Sequence, residues 1–307
     1  MPLHGLLLVN KPTGLTSHDV VAKVRKVIGM REVGHSGTLD PFASGLMVLL
    51  LGEATKISDF VLNGDKAYRV RVRFGVRTDS LDITGQVLSQ RSVSLDPSVV
   101  MSAAFSLQGE FVWPVPLFSA KKVEGKKLYE FAHNEQIPGE IPQKKMRFWD
   151  VQVLSTSADS VEVHLECSKG SYVRTWSSVL GERLDVGGVV EELERTASKP
   201  YFLKSALSLS EIVDNSQLIE SPAFIPLAEA LPSWRAVTIR GKDERLIHNG
   251  QISYDLERRL IVEQKLATQS QQVVGIKVLS AETGQILAIL EATPNSRVKI
   301  RRVFKRT

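Results

Sequence analysis

Residues Gly34 to Pro41, read as GHSGTLDP, crowd a histidine, a serine, a threonine and an aspartate between two glycines and a proline. A carboxylate in such a setting can close a turn, hold a metal or attack an electron-poor carbon. A metal would need further carboxylates or imidazoles close by, and the flanks of Asp40 offer only His35 and, later, Glu53. The glycines are not followed by the Gly-Lys-Ser/Thr that completes a phosphate-binding loop. A phosphoaspartate enzyme would carry two aspartates one residue apart, whereas Asp79 and Asp82 are three apart in TDSLDITG. Asp-Pro is itself a turn signal. Local chemistry thus leaves Asp40 as either a turn former or a nucleophile.

An aspartate can do chemistry only if rigid elements aim it. GLLLVN reads as a short buried strand and KPTGLTS as a turn. Ser17 is expected to cap the following helix, with Asp19 in its first turn, Val20, Val24, Val27 and Ile28 on its inner face, and Gly29 at its end. LMVLLLG reads as a core strand, so Asp40 should lie on a short loop between that helix and this strand. YRVRVRFGV alternates strictly, with Tyr68, Val70, Val72 and Phe74 inward and Arg69, Arg71 and Arg73 outward. SVEVHLEC repeats the pattern, with Val161, Val163, Leu165 and Cys167 inward, and helical signals follow at 177–184 and 189–193. Between these strands, residues 119–147 carry seven Lys/Arg against four Glu and three Pro/Gly interruptions, which predicts an excursion from the sheet.

At 307 residues the chain is long enough for about two domains. Hydrophobic residues at 43% and charged residues at 24% are globular values. A net charge of +5 and a pI near 9.2 permit a polyanionic partner without demanding one. The single cysteine, Cys167, excludes an internal disulfide and a multi-cysteine zinc site. The longest apolar runs, such as Leu46 to Leu51, are too short to span a bilayer, and LHGLLLVN lacks the parts of a secretory signal, so a cytoplasmic protein is expected. A boundary is expected near AEALPSW, residues 228–234. Beyond it AVTIR, LIVEQKL, VVGIKVLS and QILAILEA read as short strands, the last two joined by a Glu282-Thr283-Gly284 turn, which predicts a small β-barrel. The tail RVKIRRVFKRT, from Arg297, has six basic residues and no acid.

Five blocks occur in order: LLLVNKPTGLTSHDVVAKVRK, VGHSGTLDPFASGLMVLLLGEATK, KAYRVRVRFGVRTDSLDITG, SAKKVEGKKLYEFA and CSKGSYVRTWSSVLGERL. Together they resemble bacterial tRNA pseudouridine-55 synthases of the TruB type over most of residues 5 to 200. Ser36, Thr38 and Ser44 stand where that family often has Thr, Ala and Thr. The resemblance implies an α/β (α+β) fold with a mixed, mainly antiparallel sheet and flanking helices over 1–231, and a small PUA-like RNA-binding barrel over 232–307. It implies isomerisation of a uridine in the TΨC arm of tRNA, with the base flipped out, its glycosidic bond cut and the base rejoined through C5. No cofactor or metal is implied, and tRNA is the partner of a monomeric enzyme.

The resemblance also distributes roles. Asp40 becomes the essential nucleophile or base, Arg174 its guanidinium partner, and Asp82 a supporting carboxylate on the other side of Arg174. Tyr68 would stack on the flipped uracil and help remove the C5 proton. His35 would fill the space the base leaves, while Tyr172 and Leu193 would line the uracil pocket. Lys11, with Pro12, would support the catalytic loop or contact phosphate. The 119–147 segment resembles a mobile thumb that offers Lys121, Lys122, Lys126 and Lys127 to phosphates, and the basic tail could meet the acceptor stem. Two rivals are a tRNA-folding chaperone with secondary catalysis and the guide-RNA-dependent relative of archaea and eukaryotes; the KKLYEFA insertion favours the stand-alone form.

Overall fold

The computed structural model describes residues 3–123, 125–133, 139–268, 275–291 and 298–305. Element order begins β1 (Gly5–Lys11), α1 (Ser17–Ile28), β2 (Val33–His35), β3 (Ser44–Leu51), α2 (Ser58–Leu62) and β4 (Lys66–Phe74). It continues through the hairpin β5 (Val76–Thr78) and β6 (Val87–Gln90), then α3 (Pro97–Phe105) and β7 (Gly109–Pro114). A small excursion holds β8 (Lys122–Val123), β9 (Lys126–Lys127) and α4 (Leu128–His133). The chain returns as β10 (Gln143–Thr156), β11 (Ser160–Cys167), α5 (Val173–Arg183) and β12 (Gly188–Ser198). Shorter pieces follow, β13 (Tyr201–Phe202), β14 (Leu207–Ser208), α6 (Asn215–Glu220) and β15 (Phe224–Pro226). The chain closes with β16 (Arg235–Ile239), α7 (Lys242–His248), α8 (Tyr254–Thr268), β17 (Gly275–Ser280), β18 (Ile286–Glu291) and β19 (Lys299–Val303).

The main sheet has the order β14-β1-β3-β12-β4-β11-β10-β7, with β2, β13 and β15 as side branches on β3, β12 and β1. Its pairs are antiparallel except β1–β14 and β3–β12, the mixed, mainly antiparallel sheet expected. β3 reads as a continuous apolar run because both its faces are covered; every residue from Gly45 to Leu51 is buried. β4 alternates because only one face is: Val70, Val72 and Phe74 are buried, while Arg69, Arg71 and Arg73 point away from the core. Burying Val and Leu side chains at these positions stabilises each by about 1.5–3 kcal/mol relative to exposure.

Several local expectations are corrected. Thr16, not Ser17, caps α1: its side chain accepts from Asp19 N, and Asp19 accepts in turn from Thr16 N at 2.9 Å. Ser17 is buried one residue further on, where its hydroxyl donates to Leu39 O at 3.0 Å and accepts from Leu39 N at 2.9 Å. The helix therefore holds the loop before Asp40 by a side chain expected to hold the helix itself. Val27 is 42% exposed because the inner stripe follows Val20, Val21, Val24 and Ile28. Residues 189–193 are strand, not helix: β-branched Val189 and Val190 follow two glycines and enter the middle of the sheet against β4. The basic excursion ends earlier than composition suggests, since 143–147 already belong to β10 and pair with β7.

The C-terminal region differs most. LIVEQKL lies in α8, where Leu256, Leu260 and Gln264 are buried at four-residue spacing. The described residues form an open four-stranded sheet, β16-β17-β18-β19, with α7 and α8 packed on it, rather than a closed all-strand barrel. Glu282 to Gly284 do make the expected turn, closed by Ser280 N donating to Gln285 O at 2.9 Å. Leu231 belongs to the core of the large sheet and Val237 to the separate core of the small one, while Ile286, Ile289 and Phe304 pack back onto the large core. Lys56 Nζ donates to Val303 O at 3.1 Å, and Lys305 N donates to Glu53 at 2.9 Å across the seam. Arg297, the first residue of the basic tail, lies outside the described residues.

Candidate active site

Asp40 stands on the loop between β2 and β3 and lines a cleft of about 570 Å³. Three fixtures hold that loop. Ser17 takes both polar backbone groups of Leu39, as described above. Lys11 is fully buried and donates through Nζ to Pro12 O at 2.9 Å, Leu15 O at 2.7 Å and Pro41 O at 3.2 Å. Arg195, 2% exposed, donates to Leu46 O at 2.7 Å, Gly37 O at 3.2 Å and Thr38 O at 3.4 Å. Lys11 thus spends its ammonium on the carbonyls around the loop, with no surface left for a phosphate.

Gly45 is required where the loop enters β3. Its φ is +103°, and a Cβ there would lie 2.5 Å from Arg195 O. This is where β3 and β12 pair in parallel, Gly45 against Arg195. On the next strand Arg195 sits opposite Tyr68. Arg195 therefore braces both the loop and the wall of the cleft.

Arg174, near the start of α5, reaches the carboxylate from the side. Its Nε lies 3.0 Å from Asp40 Oδ2, and a second nitrogen donates to Asp40 Oδ1 at 3.4 Å, the planar two-pronged pairing that suits guanidinium to carboxylate. The guanidinium also donates to Ser80 O at 2.9 Å and Phe118 O at 2.7 Å, and it lies 3.6 Å from Asp82. Asp82 is buried and accepts from Thr84 N at 3.0 Å and the Thr84 hydroxyl at 2.6 Å. The carboxylate–guanidinium–carboxylate chain expected from sequence is thus assembled from three distant segments.

Electrostatics set the state of these groups. Burial pushes the Asp40 carboxyl above the ordinary aspartate range and Asp82 adds to that, while Arg174 and then Lys11 pull the other way. The Tyr68 hydroxyl is pushed up to about 12 by burial, opposed by Arg195 beside it. Lys66, buried on the cleft wall, is lowered to about 8 by burial and by Arg195; it donates to Leu62 O at 2.8 Å and to Gly64 O. Cys167 is pushed up to about 12 by burial, which leaves it an inert thiol. His35 is lowered by burial, then by Arg195, with a backbone hydrogen bond to Gly37 pulling the other way.

His35, Tyr68, Tyr172, Leu193 and Lys121 line the same cleft as Asp40 and Arg174. Lys122, Lys126 and Lys127 do not; they stand on the β8–β9 hairpin, with Lys126 over the Phe131 ring and Lys127 over Tyr129. Sequence reading missed Arg195 and Lys66. Lys66 carried a signal, as a lysine opening an otherwise alternating apolar strand; Arg195 carried none, because only the β3–β12 crossing places it under the loop. Among the described residues, one group of metal-ligand type occurs, Asp150, His164 and Glu166, and it lies outside the cleft. Glu166 there already accepts from Trp149 Nε1 at 2.8 Å and Lys199 Nζ at 2.6 Å.

Comparison with known proteins identifies the family. A family model described as TruB family pseudouridylate synthase (N terminal domain) matches residues 25–173. The tRNA pseudouridine synthase B of Bdellovibrio bacteriovorus is 46% identical over 306 residues, covering 98% of this chain and 97% of that protein. The tRNA pseudouridine synthase B of Alkaliphilus oremlandii is 40% identical over 73% of this chain and 76% of its own. Among solved structures, an H/ACA RNP bound to a substrate RNA containing 2′-deoxyuridine shares the fold, with a TM-score of 0.69 at 18% identity over 99% of this chain and 86% of the other. On the extent of these matches, the chain belongs to the TruB family of pseudouridylate synthases.

Proposed function

We propose that this enzyme isomerises uridine 55 in the TΨC arm of tRNA to pseudouridine, with Asp40 as the reacting carboxylate. The observation that carries the reading is the Asp40–Arg174 pairing, at 3.0 and 3.4 Å, in a cleft also lined by Tyr68, Tyr172 and Leu193. Such a cleft suits a base taken out of its stack, with flat and apolar walls for the ring and charge at one end. The net change breaks the C1′–N1 bond and forms C1′–C5; the C5 proton leaves and N1 gains one. Attack on C6, attack on C1′ and removal of a sugar proton all need an ionised carboxylate, and Arg174 favours that form against desolvation. Arriving RNA that displaces water makes this pairing stronger.

Tyr68 is held as a neutral phenol by its high pKa, which suits stacking on the uracil better than ionised base catalysis. Tyr68→Phe should retain most turnover if stacking is its work and lose it if proton transfer is. His35, on the cleft lining, is flat enough to occupy the stack vacated by the base. The β8–β9 lysines give the RNA backbone a basic surface. The proposed setting is the cytoplasm, with the enzyme acting on tRNA as a monomer; among the described residues no helix is long and apolar enough to cross a membrane. The reading is tested by incubating the protein with an unmodified tRNA transcript tritiated at uridine C5. Tritium release abolished in Asp40→Asn is the expected result; release retained in that variant, or none from the wild type, overturns the reading.

A further inference from the structure

Three lysines from separate segments meet at the mouth of the cleft. Lys121 comes from the excursion, Lys144 from β10, and Lys169 from the turn between β11 and α5. Lys121 and Lys169 line the cleft, and both of them act on the Lys144 ammonium, which is half-buried and held below the ordinary lysine range by burial and then by its two neighbours. None of the three forms an ion pair among the described residues. Lys169 donates to Asn63 Oδ1, a neutral partner.

The backbone is shaped to receive Lys144. Gly170 has φ +72°, and a Cβ at that position would lie 2.1 Å from Lys144 Nζ, so the ammonium rests on the bare face of the glycine. From there it lies 6.0 Å from the centre of the Tyr172 ring. The excursion is pinned beside it, with Leu128 N donating to Lys121 O at 2.8 Å and Tyr129 N to Ser119 O at 3.2 Å. Three like charges brought together without a counter-charge cost free energy, and a dianionic or monoanionic oxygen cluster arriving between them returns it.

We infer that Lys121, Lys144 and Lys169 form one phosphate seat, which grips a phosphodiester flanking the uridine that enters the cleft. The position follows from Tyr172: the ring that faces the base also carries the Lys144 ammonium, so the seat lies within one nucleotide of it. This rests on the proposed action on RNA and names the backbone contact that would hold the reacting nucleotide.

The test uses full-length protein and a tRNA TΨC stem-loop with single phosphates replaced by neutral methylphosphonates. Binding is read by fluorescence anisotropy in the Asp40→Asn background, with Tm as a check on folding. In the parent, neutralising a phosphate next to the target uridine should weaken binding about tenfold. Lys144→Met should weaken the unmodified RNA by a similar factor and show no further loss with that methylphosphonate. Because the seat neutralises one phosphate, the salt slope of log Kd should flatten by about 0.7 in all when the three lysines are removed. Gly170→Ala, which keeps the charge but displaces it, should reproduce most of the Lys144→Met loss. Additive losses at both flanking phosphates, or an unchanged salt slope, overturn the inference while leaving the proposed reaction intact. Failure of the parent to bind the stem-loop at all overturns the proposed reaction instead.

Discussion

Arg69, Arg71 and Arg73 project from one face of β4, while Arg174 and Arg195 line the cleft on the other. The first three pair with acids on neighbouring strands and loops: Arg69 and Arg71 with Glu162, and Arg73 with Asp159 at 3.1 Å and Glu191 at 3.6 Å. Their side chains stay 37–55% exposed, against 6% for that of Arg174. Exposed pairs of this kind contribute about 0–1 kcal/mol, because water screens them and long side chains must be ordered to make them. Arg174 holds backbone carbonyls as well as two carboxylates, and Arg195 holds three backbone carbonyls, in places where an unpaired polar group costs about 1–3 kcal/mol. The same residue type thus meets water on one face of the sheet and holds buried partners on the other, and burial separates the two settings.

The sharpest way to break this contrast is at the carboxylate itself. Asp40→Asn keeps the shape and should lower turnover by on the order of 10⁴ or more, as removal of one member of a concerted group does, with RNA affinity retained. Because burial raises the Asp40 pKa, ionising it costs the fold stability as pH rises beyond the ordinary aspartate range. Asp40→Asn should therefore keep or raise Tm at neutral pH; a clear fall would mean the carboxylate is mainly structural.

Arg174→Lys comes next, with an expected loss of roughly 10²–10³ in kcat, the range for one preorganised donor, and little change in RNA affinity. Equal losses in both would place Arg174 in binding instead. The pH profile adds a signed test. The acid limb of kcat/KM should lie above the ordinary aspartate range, move further up in Arg174→Gln and move down in Asp82→Asn. Opposite shifts would show that the guanidinium does not govern the carboxylate.

Arg195→Met should cost roughly 3 kcal/mol of stability, since the Gly37, Thr38 and Leu46 carbonyls lose their donor. A lowered urea midpoint with unchanged slope would register it. On the exposed face, Arg73→Ala should change stability by less than about 1 kcal/mol and leave tritium release unaltered. A loss there as large as at Arg195 would erase the distinction between the faces.

What the sequence made legible follows the range of each interaction. The β4 and β11 alternations, the Gly29 helix end and the Ser280–Gln285 turn are local, and all are present. The helix cap slipped by one residue because Thr16 and Ser17 both suit that place, and only the demand of Leu39 for a partner decides between them. Residues 189–193 and 260–266 are ambiguous in sequence because short apolar runs fit both periods, and burial in the sheet or on α8 chooses. The Asp40–Arg174–Asp82 chain was expected through family likeness alone; no spacing announces a contact between segments so far apart. Arg195 lacked even that, since its environment is created by the crossing of two strands distant in the chain.

That crossing has a consequence for the chain as it is made. Asp40 and its loop are synthesised early, yet the arginine that clamps the loop lies on β12, the last of the long strands of the main sheet to leave the ribosome. At roughly 5–20 residues per second the growing polypeptide spends many seconds with its carboxylate in place and its brace unmade. The loop that carries Asp40 therefore gains its Arg195 brace only once β12 has been made and pairs with β3 and β4.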